Sequence, residues 1–250
     1  MSRTILVTGA TAGFGKAIAL KLAKDNNKII ITGRRIERLK ALKSEIEKLG
    51  SSCHLLNFDI RNQVEVIQAI QSLPEEWKTI NILINNAGLA SGLEPIQDGD
   101  TEDWDKMIDT NVKGLLYISH EVLPLIPDGN GHIINIGSTA GKEVYPNGNV
   151  YCASKHAVDA ISKGMRLDLL PRRIKVTQIS PGAANTEFST VRFHGNTEKA
   201  DAVYKNYEPL LADDIAELVD YAIHLPKHVC INDLVVTSLS QANSYVIHKE

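Results

Sequence analysis

Cysteine is scarce in this chain: three residues among 250, Cys53, Cys152 and Cys230, far apart and without a C-x-x-C pair. That argues against a disulfide framework and a zinc site, and it suits a reducing compartment. Cys152 reads as a small apolar filler, because no histidine is placed in sequence to activate it as a nucleophile. Charge of one sign is also lacking. The net charge of −3 gives no electrostatic ground for nucleic acid or an anionic membrane as partner. No apolar run approaches the roughly 18 residues of a membrane helix. Arg3-Thr4-Ile5-Leu6-Val7-Thr8 lacks the charged stretch, apolar run and cleavage site of a secretory leader. A cytoplasmic protein is therefore expected. Internal repeats, low-complexity tracts and Pro/Gly-rich linkers are missing too, so residues 1–250 read as one domain.

What is present is a regular alternation. Short apolar runs at 4–8, 29–32, 53–58, 80–85, 132–136, 175–179 and 233–237 are mostly continuous rather than alternating in polarity. Strands buried on both faces read this way. Helical patterns lie between them, at 16–24, 35–49, 64–73, 102–123, 151–170 and 213–225. In the second of these, Ile36, Leu39, Leu42, Ile46 and Leu49 make one apolar stripe. Pro74, Pro124, Pro171 and Pro226 close four of the others. Strands alternating with helices imply right-handed βαβ units, hence an α/β fold with a doubly wound parallel sheet and helices on both faces.

The first strand leads into Thr8-Gly9-Ala10-Thr11-Ala12-Gly13-Phe14-Gly15 and then a helix. Gly9 permits a tight turn, Gly13 a close approach to a pyrophosphate, and Gly15 close packing of helix on strand. The free N–H groups and positive dipole end of the helix face the anion. A glycine triplet alone is weak; at the first strand-to-helix turn of an α/β pattern it has the required context. An NAD site places Asp or Glu at the end of the second strand, for the ribose 2′-hydroxyl. Here that position holds Arg34 and Arg35, with no carboxylate before Glu37. Two guanidinium groups suit a 2′-phosphate, so NADP is the expected cofactor. Asp59 keeps two readings, an acceptor for the adenine amino group or a helix N-cap.

Tyr151-Cys152-Ala153-Ser154-Lys155 opens a helix, and residues four apart share a face with bases about 5–6 Å apart. A free tyrosine ionises near about 10, so proton transfer near neutral pH benefits from a drop of about 3 units. A nearby ammonium supplies a bias in that direction.

Thr8–Gly15, Asn85-Asn86-Ala87-Gly88, Asn111, Ser138, the Tyr151/Lys155 pair and Pro181-Gly182 together resemble, in order, the motifs of the short-chain dehydrogenase/reductase family. The likeness spans nearly the whole chain. It implies a Rossmann-type fold with about seven parallel strands, no metal, and dimers or tetramers, of which a homotetramer is expected. It implies that Tyr151 passes a proton to or from the substrate oxygen. Lys155 would lower the tyrosine pKa and hold the nicotinamide ribose, Ser138 would polarise the substrate oxygen, and Asn111 would hold a water linking Lys155 to solvent. Gly9, Thr11, Ala12, Gly13, Phe14, Gly15, Asp59, Ile60, Asn86 and Gly88 would line the cofactor. Pro181-Gly182 and the residues to Thr186 would cover it, opening a substrate lid of about residues 182–210.

Thr8–Gly15, Gly33-Arg34-Arg35, 132–141 and above all Thr186-Glu187-Phe188-Ser189-Thr190-Val191-Arg192-Phe193 look like the NADP-dependent serine and L-allo-threonine dehydrogenases. That likeness implies oxidation of the 3-hydroxyl of small 3-hydroxy acids. Such a substrate carries a carboxylate, and Arg192 is either its ligand or a surface or subunit-contact residue. His194 reads as a loop polar residue. A general carbonyl or 3-oxoacyl-carrier-protein reductase, and a nucleotide-sensing protein without turnover, stand as the competing functions.

Overall fold

A computed structural model of the chain describes residues 2–250. Runs of β-branched residues such as Ile29-Ile30-Ile31 and Ile133-Ile134 form strands buried on both sides. The strands are β1 (Thr4–Val7), β2 (Lys28–Gly33), β3 (Ser52–Asn57), β4 (Ile82–Asn85), β5 (His132–Ile136), β6 (Lys175–Pro181) and β7 (Asp233–Val236). They make one seven-stranded sheet of order β3-β2-β1-β4-β5-β6-β7, parallel throughout, as the alternation implies. The helices are α1 (Gly13–Ala23), α2 (Ile36–Lys48), α3 (Gln63–Gln71), α4 (Thr101–Ile108), α5 (Leu115–Val122), α6 (Asn149–Asp168), α7 (Glu187–Arg192), α8 (Thr197–Val203) and α9 (Ala212–His224).

The two-residue period of the strands divides their side chains between two cores. Ile5, Val7, Ile29, Ile31, Ile84 and Ile134 pack with α1, α2 and α9 on one face. Leu6, Ile30, Leu83, Ile133 and Val176 pack with α3 and α5 on the other. The stripe of α2 holds at Leu39, Leu42 and Ile46, all buried, while Leu49 at its end is exposed. The chain runs outward from β1 to β3, then returns to continue beside β1 at β4. At that reversal the loops after the two strands diverge and leave a crevice at their carboxyl ends.

Three expectations are corrected. The single helix expected over 102–123 is broken: α4 and α5 are joined by a π-helical turn, Asp109–Gly114, which carries Asn111. Such turns insert an extra residue and re-aim one side chain. The N-cap of α3 is Asn62, whose side chain accepts from the amides of Val64 and Glu65, so Asp59 has no capping role there. Segment 182–210, where the hydrophobic pattern shows no helix, folds into α7 and α8, capped by the side chains of Thr186 and Asn196.

The β1 and β4 loops are joined through the Thr8 hydroxyl and the Asn86 side-chain amide, whose Nδ2 donates to the Thr8 carbonyl at 2.8 Å. Thr8 Oγ1 accepts from the amides of Asn86 (3.0 Å) and Ala87 (2.9 Å) and donates to the Ile84 carbonyl (3.3 Å). Gly9 follows at φ +65°, where a Cβ would lie 2.8 Å from Cα of Ala87. Gly9→Ala is expected to destabilise the fold by about 1–3 kcal/mol through strain and this backbone clash. The midpoint of urea unfolding checks it; an unchanged midpoint would refute the assignment.

Candidate active site

The crevice at the β1/β4 reversal is a cleft with a volume of about 320 Å³. Its floor is the glycine turn and the N-terminus of α1. Ala12 caps that helix with no side-chain bond, and its first turn contains no acid. Bare amides and the positive dipole end thus face the cleft, the arrangement that holds a phosphate. Gly9, Thr11, Ala12, Gly13 and Phe14 line this end, and Arg34, Arg35, Asp59 and Ile60 flank it. Asn86, Gly88, Ser138, Tyr151, Lys155, Pro181, Gly182 and Thr186 line the rest. Three of the expected residues stand outside the lining. Gly15 lies beneath it, where a Cβ would come within 2.4 Å of the Gly9 carbonyl. Asn111 stands behind the wall, and Arg192 behind the Tyr151 ring.

Tyr151 and Lys155 lie one turn apart on α6, both buried. Their electrostatics differ from expectation. Burial pushes the Tyr151 hydroxyl above its ordinary value, and Tyr145 adds to this. Arg192 and a hydrogen bond with Ser138 oppose the rise without overcoming it. Lys155 does not set this value; its Nζ donates to the Ile136 carbonyl at 2.9 Å, and burial alone brings its ammonium down to about 8. Desolvation disfavours the charged form of both groups. The phenol is therefore held neutral, a proton donor in place. Ser138 is extended backbone at the end of β5, where its Oγ accepts from the amide of Ala140 (3.1 Å) and donates weakly to the Pro181 carbonyl (3.4 Å).

Asn111 acts on the backbone. Its Nδ2 donates to the Leu89 carbonyl (2.8 Å) and to Ser154 Oγ (3.0 Å), and its Oδ1 accepts from the Leu89 amide (2.8 Å). The side chain thereby pins the loop after β4 to the helix that carries Tyr151.

Arg192 is neither a surface residue nor free of the site. Its guanidinium lies 5.0 Å from the ring centres of both Tyr151 and Phe188, and Nη2 donates to the Tyr145 hydroxyl at 2.7 Å. Its Nε is buried without a partner. Phe188 meets the Tyr151 ring edge-on, with centres 5.5 Å apart. At the other end of α7, Glu187 enters between two arginines: Oε2 is 2.9 Å from Arg35 Nη1 and Oε1 is 2.5 Å from Arg38 Nη1. Arg35 also donates to the Thr11 hydroxyl. Arg34 points elsewhere, 3.7 Å from Asp59, whose main partner is Arg61. Glu187 thus bridges Arg35 and Arg38, while Arg34 lines the cleft beside Asp59.

The chain matches the family model described as short chain dehydrogenase over residues 3–196. It belongs to the short-chain dehydrogenase family. It is 48% identical to the NADP-dependent 3-hydroxy acid dehydrogenase YdfG of Salmonella typhi over 240 residues, 95% of this chain and 96% of that one. It is 43% identical to a serine 3-dehydrogenase of Rhizobium radiobacter, over 97% of this chain and 96% of the relative. The solved closed form of a serine dehydrogenase complexed with NADP+ superposes with a TM-score of 0.91 at 44% identity, covering 99% of this chain and all of that one. Among the described residues no helix is long and apolar enough to cross a membrane.

Arg38, Tyr145, Phe188 and Asp103 were not singled out by the sequence. Arg38 has a local signal, its i,i+3 spacing from Arg35 on the first turn of α2. Asp103 has only its i,i+3 spacing to Lys106, since its other partners come from two distant segments. Its buried carboxylate accepts from Ser91 Oγ (2.7 Å) and Lys106 Nζ (3.2 Å), and His194 Nε2 lies 3.0 Å away. His194 is therefore a tie between the segment after α7 and α4 rather than an isolated loop residue. Burial raises the Asp103 pKa, but Ser91, Lys106 and His194 outweigh it and hold the carboxyl below the usual range. Its contribution to stability is full above the ordinary carboxyl value of about 3.9 and is lost as pH falls through the lower folded value. Asp103→Asn is expected to cost about 1–3 kcal/mol at pH 7. The deficit should shrink below about pH 4, as read from thermal unfolding of both proteins; a deficit independent of pH would contradict the ionic role.

Proposed function

We propose that this chain is an NADP-dependent dehydrogenase acting at C3 of small 3-hydroxy acids of the serine, L-allo-threonine and 3-hydroxypropionate type. The observation that carries the substrate class is Arg192, a cation behind the Tyr151 ring with a buried Nε that no protein group satisfies. A buried donor of that kind asks for an anion, and a small hydroxy acid brings a carboxylate. The names of the relatives support the same class.

The cleft fits NADP. The α1 amides suit the pyrophosphate, and a carboxylate already seated between Arg35 and Arg38 marks a place for a second anion, the 2′-phosphate. Thr11 and Arg35 with Arg38 would hold that end; Asn86, Gly88, Lys155, Pro181, Gly182 and Thr186 would hold the nicotinamide end. When bound, the nicotinamide supplies the hydride acceptor or donor. Ser138 and Tyr151 grip the substrate oxygen between two hydroxyls. As the neutral phenol Tyr151 gives its proton to that oxygen during reduction, and as the phenolate, reached toward alkaline pH, it takes the proton up during oxidation. Lys155 fixes the ribose and, titrating near 8, relays charge at working pH. Segment 182–210 serves as the lid, with Phe188 excluding water from the Tyr151 ring. A cytoplasmic homotetramer belongs to the same reading, supported by exposed Leu116 on α5 and Leu167 on α6.

Initial rates test the class. NADP with L-serine, L-allo-threonine or 3-hydroxypropionate should turn over, and NAD should be much poorer; activity confined to acyl-thioesters would overturn it. Tyr151→Phe should lower kcat by about 10²-fold or more with NADPH binding near wild type. Arg192→Ala should raise KM for the hydroxy acid about ten- to hundredfold, with Arg192→Lys recovering part of it; an unchanged KM would remove Arg192 from the site. Because the Tyr151 pKa is raised, kcat/KM for oxidation should climb with pH into the alkaline range, while reduction should stay level across about pH 6 to 8. An oxidation profile flat above neutrality would contradict the raised pKa.

A further inference from the structure

The pair of guanidinium groups at the mouth of the cleft is engaged by the protein itself. Among the described residues, the ion pairs of Arg35 and Arg38 run to one carboxylate, that of Glu187. The two oxygens are divided between them, Oε2 to Arg35 and Oε1 to Arg38. The remaining edge of Arg35, Nε and Nη2, donates to the hydroxyl of Thr11 at 3.1 and 2.8 Å, so its plane is oriented by the glycine turn. Burial raises the Glu187 pKa, but Arg38 and Arg35 outweigh it and keep the carboxylate ionised. Glu187 comes from 149 residues further along the chain than Arg38, on a different element. It is the first residue of α7, the helix that carries Phe188 and Arg192 to the Tyr151 ring.

We propose that Glu187 is an internal competitor for the 2′-phosphate, latching the lid helix to Arg35 and Arg38 until the phosphate of NADP displaces it. The inference rests on NADP being the cofactor. A dianionic phosphate makes more charge-assisted bonds to two guanidiniums than one carboxylate does, and the two anions repel one another in a shared seat. All three side chains are 43–49% exposed. Ion pairs this solvated are individually weak, so the latch is reversible. NAD has no 2′-phosphate and leaves the latch closed. Glu187 therefore offsets part of the NADPH affinity that the arginines supply and leaves NADH affinity unaffected.

Nucleotide fluorescence titrations of the wild-type chain, Glu187→Gln and Glu187→Ala with NADPH and with NADH test the competition. Both variants should bind NADPH about three- to tenfold more tightly, with NADH changed by less than about twofold. NADPH affinity that is unchanged or weaker, or equal tightening of NADH, would overturn the proposal. Limited proteolysis without nucleotide tests the latch, since both variants should be cut faster within residues 182–210. Cleavage at the wild-type rate would refute that half. A wild-type chain that binds NADH the more tightly would fail the cofactor reading itself, and this inference with it. Preference for NADPH without tightening in the variants would fail the inference alone.

Discussion

The hydroxyl of Thr8 is the joint on which the site hangs. It closes the gap between the loops after β1 and β4, accepting from two amides of one and giving its proton to the Ile84 carbonyl within β4. A parallel sheet whose order reverses beside β1 splays these loops apart and so creates a crevice. A crevice alone has no fixed walls. With Thr8 holding Asn86 and Ala87, and Asn111 holding Leu89, the β4 loop becomes a wall that fixes one side of the cleft. The π-turn that delivers Asn111 also ties this wall to α6 through Ser154, so cofactor wall and proton-transfer helix share one frame.

Within that frame the dominant electrostatic fact is desolvation. Tyr151 and Lys155 are both taken out of water, and each shifts toward its neutral form. A mutual attraction between them, which the four-residue spacing invites, is weaker than the burial of either. The ammonium finds the Ile136 carbonyl, and the phenol finds Ser138. A neutral phenol beside a serine hydroxyl is a suitable pair for gripping an oxygen and exchanging a proton with it. The guanidinium of Arg192, from segment 182–210, lies 5.0 Å from the Tyr151 ring centre and opposes the rise in its pKa, so an element distant in sequence bears on the chemistry of α6.

Segment 182–210 touches both ends of the cleft. Its first helix touches the arginine pair through Glu187 and the tyrosine through Phe188 and Arg192, while His194 after it meets Asp103 on α4. Every one of these contacts spans far more of the chain than a helical turn.

Much of this was written in local pattern. The unbroken isoleucine runs announce strands covered on both faces, the stripe along α2 announces its buried side, and the prolines mark where helices stop. The glycine turn and the Tyr151/Lys155 spacing are local too, because a turn and a helix face need only a few neighbouring residues. Arg35 was legible at the end of β2, but the side chain that shares Glu187 with it was not: Arg34 lies toward Asp59, and Arg38, one helical turn further on, meets the same carboxylate. The breaking of the helix at Asn111 escaped the hydrophobic pattern because its side chain bonds distant segments, and α7 and α8 escaped it because they are short and begin at polar caps. The sequence by itself determined the fold class, the glycine turn after β1 and the placing of Tyr151 and Lys155 on one helix face, because each is encoded in residues within one turn or one strand. Only the tertiary structure decided the direction in which burial shifts each of that pair, the place of Glu187 between Arg35 and Arg38, and the place of Arg192 against Tyr151. Those depend on burial and on contacts between residues far apart in the chain, which no local spacing records.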